Sequence, residues 1–229
     1  MASLEDYTAG KVILIDKPLH WTSFQAVNKI RWAIKKRFGI KKIKVGHAGT
    51  LDPLATGLLV ICSGKMTKQI NTFQGQEKAY TGTITLGSTT PSYDLETEFD
   101  KTFDTSHITE DLIHNTTRKF TGSIEQYPPI FSALKKDGKR LYDIARAGES
   151  VELNPRTVEI TTFEITEING LNLKFKVVCS KGTYIRSLAQ DFGKALNCGA
   201  HLSELRRTRI GSFSVEKAIS PEAFLDQLS

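Results

Sequence analysis

Apolar residues recur along this chain with two periods, one helical and one of strands. Residues 11–15 (KVILI) form a short apolar strand that ends in Asp16-Lys17-Pro18. A helix follows. Thr22 with Gln25 three residues on fits a capping box, in which each side chain satisfies the other residue's backbone N–H. Phe24, Val27, Ile30, Ile34 and Phe38 fall on one face, and Gly39 is placed to end the helix. The unalternated run Leu58-Leu59-Val60-Ile61 predicts a buried strand.

Further on, residues 65–73 predict a short helix, and YTGTITL at 80–86 alternates as a half-buried strand does. An acidic stretch from Asp94 predicts an exposed loop, followed by a helix over about 109–120. Residues 157–181 predict a β-hairpin turning at Asn169-Gly170, with Leu171, Leu173, Phe175, Val177 and Cys179 alternating with polar residues. Gly182-Thr183 opens a helix with Thr183 as its cap and Tyr184, Leu188 and Phe192 on its inner side. HLSELRRTRIGSF at 201–213 predicts a helical turn, the bases Arg206, Arg207 and Arg209, and a last strand. No repeat or long linker interrupts the pattern. The reading is one α+β domain over residues 1–229 with a mixed or antiparallel sheet.

Composition changes this picture little: 39% hydrophobic and 24% charged residues are ordinary for a globular protein. No apolar run approaches membrane-spanning length, and the N-terminus carries acids where a signal peptide carries bases. Cys62, Cys179 and Cys198 are odd in number and widely spaced, which indicates neither a disulfide framework nor a zinc cluster and points to a reducing cytosol.

Charge distribution says more than the net charge of +6. Residues 18–51 hold no acid against Lys29, Arg31, Lys35, Lys36, Arg37, Lys41, Lys42 and Lys44, whereas 94–111 are strongly acidic. Segregation of this kind fits a polyanion on one face. The basic run leads straight into GHAGTLDPLATGLL at 46–59. There Pro53 holds Asp52 extended, and Gly46, Gly49 and Gly57 permit tight turns or close approach of a ligand. An Asp before Pro is also an ordinary turn opener, so this loop gains meaning only from the charge beside it. Residues 126–146 mix prolines and the Asp137-Gly138 turn signal with Lys135, Lys136, Lys139, Arg140 and Arg146 around Tyr127, Phe131 and Tyr142. That is a basic, aromatic excursion suited to RNA backbone contact, taken to extend to about residue 152.

Taken together, DKPLHWTSF, GHAGTLDPLATGLL, KAYTGTITLG, EQYPPIFSALKKDGKRLYDIARAGE, CSKGTYIRSLAQDFG and LRRTRIGSF resemble the TruB-type pseudouridine synthases in order and spacing. The resemblance implies the pseudouridine synthase fold, a mixed, mostly antiparallel sheet flanked by helices and loops with a central RNA-binding cleft. It implies isomerisation of the T-loop uridine of tRNA, position 55 in conventional tRNA numbering, on a flipped-out base. Asp52 matches the catalytic carboxylate and Arg186 the arginine that pairs with it. Tyr80 matches the tyrosine that stacks on the base and receives its proton, and His47 the histidine that holds the loop with the base everted. Tyr184 and Leu205 match residues lining the base pocket, and Lys17 supports the Asp52 loop or a phosphate.

Such chemistry exchanges no electrons and consumes no water, so the expected cofactors are none and no metal is required. The expected partner is the T-arm and T-loop of tRNA, bound by a cytoplasmic monomer away from any membrane. Many family members continue into a C-terminal PUA domain, whereas this chain ends sixteen residues after Phe213 and reads as a short form without one. Two rivals use the same residues: an RNA-binding or tRNA-folding protein without catalysis, and a nuclease using His47 and Asp52 with a metal. If the basic run offsets a missing PUA domain, charge reversal at Lys41, Lys42 and Lys44 weakens tRNA binding and flattens its salt dependence. Binding isotherms at several salt concentrations test this, and unchanged affinity would reject it.

Overall fold

The computed structural model of the chain describes residues 2–132, 135–136, 138–146 and 153–228. Its first compact unit comprises Met1–Thr81 and Leu205–Ser229, its second Gly82–Glu204. The first holds α1 (Leu4–Ala9), β1 (Val12–Lys17), α2 (Ser23–Phe38), β2 (Val45–His47), β3 (Ala55–Ser63), a 3-10 turn, α3 (Ile70–Gly75) and the start of β4 (Lys78–Leu86). The second continues with β5 (Ser88–Thr89), β6 (Lys101–Thr102), α4 (Glu110–Thr117), β7 (Gly122–Gln126), β8 (Lys135–Lys136), β9 (Lys139–Arg140), α5 (Leu141–Arg146), β10 (Arg156–Asn169), β11 (Asn172–Cys179) and α6 (Ile185–Ala195). Strand β12 (Ala200–Ile210) returns the chain to the first unit, which ends with β13 (Phe213–Ser214) and α7 (Pro221–Asp226).

In the first unit β3 is the central strand. It pairs antiparallel with β1 from Val12↔Cys62 to Lys17↔Gly57. Its other edge takes β2 at the C-terminal end and β12, in parallel, at the N-terminal end. The unalternated run follows from this position. Leu59 and Ile61 join a core with Ile13, Ile15, Val27, Ile30 and Ile34, while Leu58 and Val60 join a second cluster with Ala48 and Ile210. A strand covered on both faces has no polar side to show.

Helix α2 forms where the sequence signals it. Thr22 and Gln25 make both halves of the capping box, worth about 1 kcal/mol, and Gly39 takes the left-handed conformation at the C-terminal end. Phe24 is a correction: it is 64% exposed, and the buried stripe runs through Ala26, Val27, Ile30, Ala33 and Ile34. At roughly 100° per residue, Phe24 lies about 120° from the middle of that stripe.

The second unit orders β4, β11, β10 and β7 side by side. Its interior is aromatic: Phe163 meets Phe192 at 5.2 Å, Phe175 at 6.3 Å and Phe120 at 6.4 Å between ring centroids, edge to face. The hairpin register pairs Asn169 with Asn172, so the turn residues are Gly170 and Leu171, one position later than expected. Gly170 takes φ of +57° at the first turn position, and Leu171 is consequently exposed. Helix α6 starts at Ile185 with Tyr184 as its cap residue, and the Thr183 hydroxyl donates to the Ser180 carbonyl instead of capping. The expected helical turn near residue 201 is part of the eleven-residue strand β12, whose burial does not follow the two-residue period of a half-buried strand. Of the basic excursion, residues 147–152 and Asp137 lie outside the described residues, as do the side chains of Lys135, Lys136, Lys139, Arg140 and Arg146. Among the described residues no helix is long and apolar enough to cross a membrane.

Gly57 shows how closely β3 and β12 approach. A Cβ there would sit 2.3 Å from the Arg207 carbonyl oxygen, at a φ of +99° that L side chains avoid. Gly57→Ala therefore combines overpacking with backbone strain and should destabilise the fold by about 2–5 kcal/mol. Denaturant unfolding would measure it, and a loss under about 1 kcal/mol would contradict the packing described.

Candidate active site

Asp52 sits half-buried on the loop between β2 and β3. That loop is held at several points by its own unit. The Asp52 carbonyl accepts the Ala55 N–H at 3.1 Å, and the His20 N–H, from a residue with φ of +65°, donates to the Pro53 carbonyl at 2.8 Å. The buried Ser23 hydroxyl both accepts from the Leu51 N–H at 2.8 Å and donates to the Leu51 carbonyl at 3.1 Å. The first turn of α2 thereby fixes the residue before Asp52.

Beneath the loop lies Arg207, 1% exposed. Its Nε donates to the Leu58 carbonyl at 2.8 Å, Nη2 to Gly49 at 3.0 Å and Nη1 to Thr50 at 3.3 Å. An uncompensated buried guanidinium would cost several kcal/mol, and these carbonyl dipoles offset that cost. Lys17 is a second buried cation. Its Nζ donates to the carbonyls of Pro18 at 2.8 Å and Trp21 at 2.6 Å. Burial lowers its pKa to about 8, with the Asp52 charge opposing the shift and Arg207 adding to it. The attraction between Lys17 and Asp52 is mutual, so it also favours the ionised carboxylate.

Burial holds the His47 imidazole below its ordinary range, with a Gly49 backbone hydrogen bond opposing and Arg207 reinforcing. Tyr80 is buried on β4, and Leu205 is half-buried on β12 opposite Ala55. The first unit thus brings together Asp52, Lys17 and His47 around Arg207, a residue that sequence reasoning counted only as one of three bases. Its neighbours have other partners. Arg206 forks onto Asp16 at 3.0 and 2.6 Å, and Arg209 meets Glu77 at 2.6 Å.

Tyr184 and Arg186 belong to the second unit. Gln126 brackets Tyr184, accepting its N–H at 2.7 Å and donating to its carbonyl at 3.0 Å. Arg186 is buried. It donates to the carbonyls of Phe131 at 2.8 Å and Ser92 at 3.2 Å, and its Nε lies 3.6 Å from Asp94 Oδ2. Asp94 was expected in an exposed acidic loop; it is buried, and its other carboxylate oxygen accepts the Glu96 N–H at 3.0 Å. Nothing in the sequence marks it apart from the six other acids of that stretch. Among the described residues, no cluster of three or more His, Cys, Asp or Glu side chains is arranged to hold a metal ion.

A family model described as TruB family pseudouridylate synthase, N-terminal domain, matches residues 35–185, and one described as tRNA pseudouridylate synthase B C-terminal domain matches 186–229. The chain is 61% identical over 225 residues to tRNA pseudouridine synthase B of Flavobacterium johnsoniae, with 98% of each chain covered. It also resembles a solved Cbf5-Nop10-Gar1 complex, with a TM-score of 0.73 and 32% identity over 98% of this chain and 56% of that one. An H/ACA RNP bound to a substrate RNA containing 2′-deoxyuridine gives 0.69 and 31%, over 96% of this chain and 53% of that one.

The Lys17 shift carries a pH dependence. In the unfolded chain its ammonium titrates near 10.5, in the folded protein near 8. Below about pH 8 both states hold the proton and the burial cost is felt in full. Between 8 and 10.5 only the unfolded chain binds it, so stability rises with pH across that window. Denaturant unfolding from pH 7.5 to 10.5 should show this rise relative to Lys17→Met, and parallel profiles for the two proteins would rule it out.

Proposed function

Since the chain belongs to the TruB family of pseudouridine synthases, we propose that it isomerises the T-loop uridine of tRNA, position 55, to pseudouridine with Asp52 as its reacting carboxylate. The observation that carries this reading is a half-buried carboxylate on a loop pinned by Arg207 and Ser23 beside the cation Lys17. The reaction moves the sugar carbon from N1 to C5 of one uracil. The N1–C1′ bond breaks, the base turns, the C5–C1′ bond forms, C5 gives up a proton and N1 gains one. Atoms and electrons balance within the nucleotide.

A carboxylate serves this rearrangement only while ionised, as a nucleophile or as a base. Phosphates brought close by RNA push it towards protonation, and fixed positive charge opposes them. Lys17 and Arg207 supply that charge from beneath the loop, and neither needs to move when RNA arrives. Tyr80 is assigned the face of the everted base and its proton, Tyr184 and Leu205 the walls around it, and His47 the everted loop. Arg186, gripped by Asp94 and two carbonyls, is assigned the arginine role that the family pattern gives it. A base extracted from a folded loop costs a few kcal/mol of stacking, and these contacts are there to offset it.

Release of tritium from tRNA labelled at uridine C5 tests the reading. Wild type should release it from tRNA carrying uridine at position 55 and not from tRNA with cytidine there. Asp52→Asn should lose about a thousand-fold or more in rate while still binding RNA, as loss of a reacting group does. Release that survives in Asp52→Asn would remove Asp52 from the chemistry, and binding without any release would make the protein an RNA binder.

A further inference from the structure

The second half of α2 carries a face that plays no part at the Asp52 loop. Trp32 is 51% exposed there, with Lys36 Nζ 4.9 Å and Lys29 Nζ 5.9 Å from its ring centroid. Beside it α2 and α7 enclose a recess of about 320 Å³. Ala33, Leu225 and Leu228 contribute its apolar lining, and Trp32, Lys36 and Arg37 the remainder. The exposed acids of α7, Glu222 and Asp226, are not among the lining residues.

We propose that this face is a second RNA contact, in which an unpaired base stacks on the Trp32 indole while Lys29, Lys36 and Arg37 meet the adjoining phosphates. It rests on the reading of the chain as a tRNA-modifying enzyme and adds a site outside the reacting loop. Charge decides the occupant. A protein surface docking on this indole would bury three cations, and residues 18–51 supply no acid to pair with them. RNA brings the countercharge on the same strand as the ring, and aromatic platforms flanked by bases are how unpaired nucleotides are held. The basic supply continues past the helix in Lys41, Lys42 and Lys44, all exposed. Ser23 anchors the residue before Asp52, and Trp32 lies nine residues further along the same helix, about 14 Å at 1.5 Å per residue and two and a half turns round it, on the side away from Ser23. The platform is therefore a separate contact that RNA reaches around the helix, and charge carries its assignment.

The experiment compares wild type, Trp32→Ala, Trp32→Phe and Lys36→Glu for affinity to whole tRNA at several salt concentrations, alongside C5 tritium release. Trp32→Ala should raise Kd about five-fold or more at every salt concentration and lower kcat/KM by the same factor, the size of one lost stack. Trp32→Phe, which keeps a ring, should recover most of the affinity. Lys36→Glu should weaken binding and flatten its salt slope by about one phosphate contact. A wild type that modifies tRNA while Trp32→Ala binds it equally well overturns the platform and leaves the functional reading intact. A wild type with neither RNA affinity nor tritium release overturns both. A self-association that Trp32→Ala abolishes, seen by sedimentation with RNA affinity unchanged, assigns the face to a second copy of the chain and overturns the RNA platform.

Discussion

The guanidinium of Arg207 donates to three backbone carbonyls, two in the loop before Asp52 and one in β3 after it. A loop of this length turns several carbonyls inward, where no ladder accepts them, and such groups are costly when buried unpaired. A rigid fork of N–H donors can satisfy two of them and a strand carbonyl at once, which the single ammonium of a lysine does with less geometric control. The arrangement requires β12 to lie close against β3. Parallel pairing of Leu205, Arg206 and Arg207 with Ala55, Thr56 and Gly57 provides that, and Gly57 leaves the space. Much of the position of the Asp52 loop thus traces to one side chain and to the glycine that admits its backbone, with Ser23 and His20 holding the rest.

Arg186 is used in a comparable way within the second unit. It too is buried and directs its nitrogens to carbonyls, those of Ser92 and Phe131, with Asp94 as the added carboxylate. Around Asp94 the chain is tightly bonded. The hydroxyls of Thr90 and Ser92 donate to its carbonyl at 2.6 and 3.0 Å, and the Ser92 N–H donates to Thr97 Oγ1 at 3.1 Å. Both units therefore tie irregular chain segments down with an arginine rather than with regular structure. Removing either cation would leave several carbonyls without donors, so the cost of its loss is set by the backbone it holds.

Much of the fold is legible because it is local. The capping box at Thr22, the stop at Gly39 and the two-face burial of 58–61 each depend on a few adjacent residues, and the structure has all three. The site residues are harder. Asp52 stands out through Pro53 and the glycines around it, yet Arg207 and Asp94 lie in runs of like charge that composition assigns to solvent. Their burial is fixed by strand pairing over more than a hundred residues of sequence, information that no local window contains. The same blindness explains β12. Three arginines in four residues look solvated and the strand's burial does not alternate, whereas in the structure Arg206 meets Asp16, Arg207 lies under the loop and Arg209 meets Glu77. Phe24 errs in the opposite direction, an apolar residue that helical geometry turns outward.

Buried and exposed cations in the first unit have separable physical consequences. Lys17 and Arg207 are shut away from solvent, so salt screens the attraction between Lys17 and Asp52 weakly. Lys36 and Arg37 at the end of α2 and Lys41, Lys42 and Lys44 in the loop after it face water, where their pull on a polyanion falls steeply as salt rises. Ionic strength then acts mainly on how tightly RNA is captured, whereas pH acts on the Asp52 loop through Lys17, whose pKa lies near 8. Under the proposed function a negatively charged side chain approaches a negatively charged polymer, and this division serves that. Lys17 and Arg207 are fixed by carbonyls, whereas Lys36, Arg37, Lys41, Lys42 and Lys44 stand exposed at the surface.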